Sequence, residues 1–347
     1  MSSKLESKAS SEATTFGFLR RQFTKPKPLP TGIRLTNQVA IITGSNVGLG
    51  LEASRQFLQL GLAHLVMGVR SQAKGDAAAA QLRKQFPSAT ISVWLVDLES
   101  YDSILAFAEK CAALPRIDIA ILNAGLVSSS YKVVPNTKHE LTLQVNYLST
   151  VLLAILLLPL LKAKKPIDAP RPPVLSIVGS DLAYSAEIDP KKPILKQFDD
   201  AKGYDQFPWY GKSKLLLIPF AAKLAEFVSA DDVLVNIANP GMTRGTDFFR
   251  AFPALLKKIV GLAQLIVARS ASVGASLYVH AALAEGKESH GSFTSDWTIK
   301  PYPKLLYSPA GQELRDKLWV ETLAELEFAG AGNIVKGLGG KSKSATA

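Results

Sequence analysis

The chain lacks several features that would assign it quickly. It has one cysteine, Cys111, so no intrachain disulfide framework exists, and it has no Asn-x-Ser/Thr glycosylation acceptor. Both suit a reducing, cytoplasmic setting. Its four histidines, His64, His139, His280 and His290, fall at no metal-ligand spacing, so no metal is expected. The first thirty residues are rich in Ser, Lys and Glu. They hold no apolar core of the roughly 7–15 residues that a secretory signal needs. The strongest apolar run, "VLLAILLLPLL" at 151–161, falls short of the ~20 residues that span a bilayer and reads as a buried helix.

A formal net charge of +11 suggests nucleic acid until it is located. Residues 1–35 carry +5, residues 162–171 carry +3 and the last fifteen residues carry +3, which leaves the remainder neutral overall. The excess sits in an arm, a linker and a tail, so no nucleic-acid surface is expected. An acidic partner or a peripheral membrane contact is the sharper reading of those ends.

Between them, β-rich apolar runs alternate with helical ones. The strand candidates are Val39–Thr43, His64–Val69, Ile91–Val96, Ile117–Leu122, Val174–Val178, Val233–Ala238 and Gly291–Thr294. Helical patterns fall at 48–60, 72–86, 101–113, 137–162, 211–229 and 270–284, with a terminal helix at 312–329. Such alternation predicts a Rossmann-like, doubly wound α/β domain: a parallel sheet of about seven strands with helices on both faces.

The stretch "VAIITGSNVGLGLEASRQFL" at 39–58 joins the first strand to the first helix through glycines. A Walker loop fails here, because no lysine follows Gly50. Two dinucleotide patterns fit: G-x-G-x-x-A over Gly48–Ala53, and T-G-x-x-x-G-x-G from Thr43 to Gly50. In that position glycines let the backbone approach a pyrophosphate, and the helix N-terminus supplies N–H donors. Gly44, Ser45, Asn46, Gly48, Leu49 and Gly50 are the expected contacts. At the end of the second strand stands Arg70, where an NAD site has an acid. A guanidinium suits a 2′-phosphate, so NADP(H) is the expected cofactor.

More pieces follow in order. Asp97, with Leu98 beside it, ends the third strand, where a carboxylate can receive an adenine amino group. Asn123-Ala124-Gly125 ends the fourth strand, Asn146 lies in the long helix, and Ser180 follows the fifth strand. Tyr210 and Lys214 form the one Y-x-x-x-K of the chain. On a helix the two share a face, so the ammonium is expected near the phenol, lowering its pKa towards a working acid–base range.

These residues in this order resemble the short-chain dehydrogenase/reductase family, nearest to its retinol-dehydrogenase-like branch and the fungal relatives of secondary metabolism. The likeness covers about residues 36–285. The resemblance implies that Ser180 polarises the substrate carbonyl or hydroxyl and that Tyr210 is the general acid/base. It also implies that Lys214 binds the nicotinamide ribose and tunes Tyr210, and that Asn146 holds a water of a proton relay. By the same resemblance Asn123, Ala124 and Gly125 line the cofactor site, and Pro240, Gly241 and Thr243 of "NPGMTRGT" lie by the nicotinamide.

Four departures stand out. The family's usual serine pair is Gly179-Ser180, and Leu122 replaces a first asparagine. Thirty residues separate Ser180 from Tyr210, which makes a long substrate-side loop, and Thr246 competes with Thr243 for one role.

The expected organisation is a flexible basic arm at 1–35, a single domain at 36–330 and a flexible tail at 331–347. Substrate-side segments are expected at about 184–209 and 247–269. The run at 151–161 would be the face that such proteins use for homodimer helix bundles. "LLKKIVGLAQLIVA" at 255–268 would be a lid, or a membrane contact with Lys257 and Lys258 snorkelling. The expected activity is carbonyl reduction or alcohol oxidation on a bulky apolar small molecule. Its rivals are a membrane-associated retinol- or steroid-type dehydrogenase and a non-catalytic nucleotide-binding scaffold.

Overall fold

The structure, a computed structural model, describes residues 1–166, 169, 171–244 and 267–339. Its centre is one sheet of eight strands: β1 (Val39–Thr43), β2 (His64–Val69), β3 (Thr90–Leu95), β4 (Ile119–Leu122), β5 (Val174–Val178), β6 (Leu234–Asn239), β7 (Phe293–Ser295) and β8 (Thr298–Lys300). The order is β3-β2-β1-β4-β5-β6-β7-β8. All neighbours are parallel except β7 and β8, which form an antiparallel hairpin. β1 and β5 are buried along their whole length, as continuous apolar runs in a doubly covered sheet should be.

Helices cover both faces. They are α1 (Glu6–Glu12), α2 (Thr15–Phe23), α3 (Gly48–Gln59), α4 (Gln72–Gln85), α5 (Tyr101–Ala112), α6 (Leu141–Ala163), α7 (Gln206–Leu224), α8 (Ala271–Leu283), α9 (Pro309–Glu325) and α10 (Ala331–Leu338). Their starts follow from capping. Ser71, Ser100, Ser270 and Ser308 each accept a backbone N–H of the first turn, which satisfies a donor that the helix cannot. One apolar core gathers Phe107 and Cys111 of α5, Leu152 and Leu158 of α6 and Leu216 of α7; the other gathers Phe57 of α3, Leu82 of α4 and Leu277 of α8.

The structure corrects or extends five of these expectations. The sheet gains an eighth, antiparallel strand. The arm at 1–35 is not loose, because α1 and α2 fold against the domain and bury Ala9, Glu12, Arg21 and Gln22. The tail begins later than expected, since α10 buries Ala331, Val335 and Leu338. The loop of residues 184–209 is fastened to α9, where both carboxylate oxygens of Glu321 accept the N–H groups of Ile194 and Leu195 at 2.9 Å. The apolar face at 151–161, offered above to a second copy, packs against α10 of its own chain. On either side of it Tyr147 and Thr322 of α9 share a hydroxyl–hydroxyl bond of 2.7 Å, and Lys162 donates to the Leu338 carbonyl. Among the described residues α6 is the one helix long and apolar enough to cross a membrane, and its apolar window is 89% buried inside the protein. Of the segment at 247–269, residues 247–266 lie outside the described residues, as does Thr246.

Candidate active site

β1 has β2 on one side and β4 on the other, so the direction of winding reverses between β1 and β4. Ligands of such sheets bind outside the carboxyl ends of the strands at that reversal. Gly44 follows β1, Asn123 follows β4, Ser180 follows β5 by two residues, and Pro240 follows β6.

The glycine loop is held from beneath. Asn123 Nδ2 donates to the carbonyl oxygens of Thr43 and Gly44 at 2.9 and 3.3 Å, and the Ala124 N–H donates to Thr43 Oγ1 at 3.0 Å. A Cβ on Gly50 would stand 2.5 Å from the Gly44 oxygen and 2.6 Å from Asn123 Nδ2, so only glycine lets α3 approach this closely. Gly44 and Gly48 both take positive φ, at 65° and 57°. Ser45 Oγ is buried in the loop with no hydrogen-bond partner, an unspent hydroxyl where a phosphate oxygen would lie. The half-buried Asn46 and Leu49 follow it. The loop therefore fits a dinucleotide pyrophosphate.

The adenosine side is occupied by the protein's own contacts. Arg70 Nη1 donates to Glu99 Oε1 at 2.6 Å and stays more than half exposed. Asp97 Oδ1 accepts the Glu99 N–H at 3.0 Å, and the buried Leu98 offers its carbonyl to Ser149 Oγ.

The reacting side converges. Tyr210 and Lys214 lie on α7, and Tyr210 hydrogen-bonds Ser180. Lys214 departs from expectation: its ammonium donates to the Val178 carbonyl at 2.8 Å and stands 5.8 Å from the centroid of the Tyr210 ring. Burial accordingly pushes the phenol up to about 12, against the lowering effect of Ser180, and the same burial brings Lys214 down to about 8. The expected lowering of Tyr210 by the ammonium is absent from this balance: burial dominates the phenol, and one of the lysine's three donors is directed at a backbone carbonyl.

Asn146 sits where α6 widens into a π-turn at Gln144–Leu148, a feature common at functional sites. Both of its amide hydrogens are committed, to the Leu126 carbonyl at 2.9 Å and to Ser213 Oγ at 3.1 Å, while Oδ1 accepts the Leu126 N–H at 2.8 Å. Ser213 in turn donates to the Tyr210 carbonyl at 2.7 Å. Gly125 joins the group: a Cβ there would lie 3.1 Å from Asn146 Oδ1 and 3.5 Å from Lys214 Nζ. Gly179 stands where the family keeps a serine because a Cβ would come within 2.7 Å of Ile237 and 2.9 Å of Phe293.

The segment after β6 is tightly held. The Gly241 N–H donates to Asn239 Oδ1 at 3.1 Å, Thr243 Oγ1 donates to the Gly241 carbonyl at 3.2 Å, and Arg269 Nη1 donates to the Pro240 carbonyl at 3.0 Å. Sequence reasoning missed Arg21, Gln22, Asp181 and Arg269, which surround this corner. The signal available was the amphipathic pattern of "FGFLRRQF" at 16–23, which announces a helix and says nothing of what it meets.

Comparison with known proteins agrees with this fold. Residues 38–166 match the short chain dehydrogenase family. Over 97% of this chain and 99% of the relative, the sequence is 64% identical to short chain dehydrogenase virL of Hypocrea virens. It is 46% identical to short chain dehydrogenase/reductase mfmJ of Annulohypoxylon moriforme, over 93% of this chain and 94% of that one. In fold it resembles the L-sorbose reductase of Gluconobacter frateurii, solved with NADPH and L-sorbose, at a TM-score of 0.57 and 24% identity, covering 76% of this chain and 97% of the other. The chain belongs to the short-chain dehydrogenase family. It is an oxidoreductase of that family.

Proposed function

We propose that this protein uses NADP(H) to reduce a carbonyl, or in reverse to oxidise a secondary alcohol, on a bulky apolar small molecule of secondary-metabolite biosynthesis. The observation that carries the reading is the buried Tyr210 hydroxyl, hydrogen-bonded to Ser180 at the carboxyl end of the sheet, with Lys214 and Asn146 meeting around Gly125.

When bound, NADP(H) supplies or accepts the hydride at the substrate carbon. The protein's own residues manage the oxygen and its proton. Ser180 donates a hydrogen bond to the carbonyl oxygen and draws charge towards it. Tyr210, held protonated through the neutral range by a pKa of about 12, delivers its proton to that oxygen as charge develops. Its resting state is the one that reduction starts from. Lys214, below its pKa of about 8, is an ammonium that offers donors to ribose hydroxyls beside the phenol. Asn146 acts through structure: it fixes the Leu126 loop and, through Ser213, the backbone of Tyr210.

Several features support the cofactor and the substrate class. The Ser45 hydroxyl and Arg70 suit the phosphates of NADP(H), and the L-sorbose reductase of similar fold was solved with NADPH. Beside the substrate-side loop the half-buried rings of Tyr204 and Tyr131 meet at 5.8 Å, and the buried Trp209 and Phe198 back Tyr204 from the core. The two half-buried rings suit an apolar skeleton. The relatives come from fungi, which fits the family branch.

The test is NADPH consumption by the full chain on a panel of aromatic and alicyclic ketones, beside Tyr210→Phe. Turnover by the wild type and none by the variant supports the reading. Equal turnover by both, or none by the wild type, overturns it.

A further inference from the structure

The arm ahead of β1 reaches two parts of the site. At the end of α2, Arg21 Nε donates to Asp181 Oδ1 at 2.9 Å, and Asp181 is bonded in sequence to Ser180. Arg21 Nη1 pairs with Glu12 of α1 and donates to the Glu12 carbonyl. The guanidinium lies 4.8 Å over the ring of Tyr184, at the far end of the turn that begins with Asp181. The next residue, Gln22, is reciprocal with Met242: its Nε2 donates to the Met242 carbonyl at 2.6 Å, and its Oε1 accepts the Met242 N–H at 3.1 Å.

Gly241, between Pro240 and Met242, adopts φ of 73°, and a Cβ there would stand 2.9 Å from both Gln22 Oε1 and Arg269 Nη1. Arg269 completes the clamp by donating to the carbonyls of Arg21 and Gln22 as well as to Pro240.

Charge chemistry separates this arrangement from a simple cover. Arg21 pairs with Glu12 and Asp181, Lys300 pairs with Glu12 and Asp296, and Arg269 lies in the field of Asp296; five of the six are buried and the Asp181 side chain is 11% exposed. Six ions taken from water cost several kcal/mol each before pairing repays them. Apolar residues would hold a cover in place at least as well. What paired ions and a reciprocal amide add is fixed direction at each bond. Here those bonds end on the residue after Ser180 and on the turn expected beside the nicotinamide.

We infer that the N-terminal arm is part of the redox site, with Arg21 a positioning residue for Ser180 through Asp181 and Gln22 a positioning residue for the Gly241–Thr243 turn. This rests on the proposed roles of Ser180 and of that turn. The two neighbours should therefore leave different marks. Loss of Arg21 frees the Ser180 hydroxyl from its line to the carbonyl oxygen, which lowers kcat and spares cofactor affinity. Loss of Gln22 loosens the nicotinamide-side turn, which weakens NADPH.

The experiment compares Arg21→Met, Arg21→Lys, Gln22→Ala and the exposed control Lys25→Ala in the full chain. Each is first checked by thermal unfolding and assayed well below its midpoint. For Arg21→Met, kcat on a turned-over ketone should fall about tenfold with the NADPH Kd unchanged. Arg21→Lys, which keeps the charge and loses the fork, should recover part of that kcat. For Gln22→Ala, the NADPH Kd measured by fluorescence should rise about fivefold, with a smaller change in kcat. A merely structural arm would lower the midpoints and leave kcat and Kd at wild-type values, which overturns the inference. If Arg21→Met does not fold, Arg21→Lys and Gln22→Ala decide it by the same readouts. If the wild type binds NADPH yet reduces no ketone, the proposed activity fails, and the Gln22→Ala binding result still stands for or against the clamp.

Discussion

The ammonium of Lys214 donates to the carbonyl oxygen of Val178 at 2.8 Å, two residues before Ser180. The lysine therefore ties the middle of α7 to the end of β5, and one buried cation braces both partners of the reacting pair. Burial holds its pKa near 8 against an ordinary 10.5. The charged form that the site uses is complete below pH 8 and is lost above it. The rate of ketone reduction should fall above about pH 8, measured as kcat/KM, and Lys214→Arg, which stays charged, should remove that limb. Stability moves the other way. Between pH 8 and 10 the unfolded chain keeps a proton on Lys214 that the folded chain has released, so unfolding free energy rises with pH. Urea midpoints of Lys214→Met should lack that rise.

Removing the phenol hydroxyl takes away the proton donor and leaves the ring. Tyr210→Phe should cost on the order of 10³-fold in kcat and leave the NADPH Kd within about twofold of wild type. Ser180→Ala should cost about 10²-fold by the loss of one oxyanion donor. Stopped-flow NADPH oxidation and fluorescence titration separate the two quantities.

Arg70 gives Nη1 to Glu99 at 2.6 Å, so a 2′-phosphate would share the guanidinium with a neighbouring carboxylate. Glu99→Gln should tighten NADPH several-fold, whereas Arg70→Asp should weaken it about tenfold and favour NADH. The ratio of the two dissociation constants is the measurement. An unchanged ratio in Arg70→Asp takes the residue out of cofactor choice.

The glycine before Ser180 has a steric cause. Gly179→Ser places a Cβ against Ile237 and Phe293 and should cost about 1–3 kcal/mol of stability by overpacking. A calorimetric midpoint equal to wild type would show that β6 and β7 yield to the side chain.

The central strands were legible because a doubly buried parallel strand is written as an unbroken apolar run. β1, β2 and β5 occupy the predicted residues. Tyr210 and Lys214 were legible because one helix carries both. The direction of the lysine was not, since it is set by a carbonyl on another element. β8 escaped notice for a local reason: its hairpin turns through Asp296 and Trp297 at φ of 42° and 56°, without the Asn-Gly or Asp-Gly pair that marks such a turn. The arm escaped for a distant one. Arg21 meets Asp181 across 160 positions, and no window of sequence spans that interval.

The contacts of Ser2 set a consequence in time. Its N–H donates to Ser292 Oγ at 3.0 Å, and its carbonyl accepts the Tyr307 hydroxyl at 2.6 Å. Ser2 is synthesised 290 residues ahead of Ser292, so the arm must wait for most of the sheet before this contact can form, and the contact closes a very long loop. Arg21 and Glu12 stay in water throughout that wait, which a less polar arm could not do without exposing sticky surface to other nascent chains. A product ending before Ser292 would keep Asp181 and Met242, the partners of Arg21 and Gln22, and would lose every residue that receives Ser2.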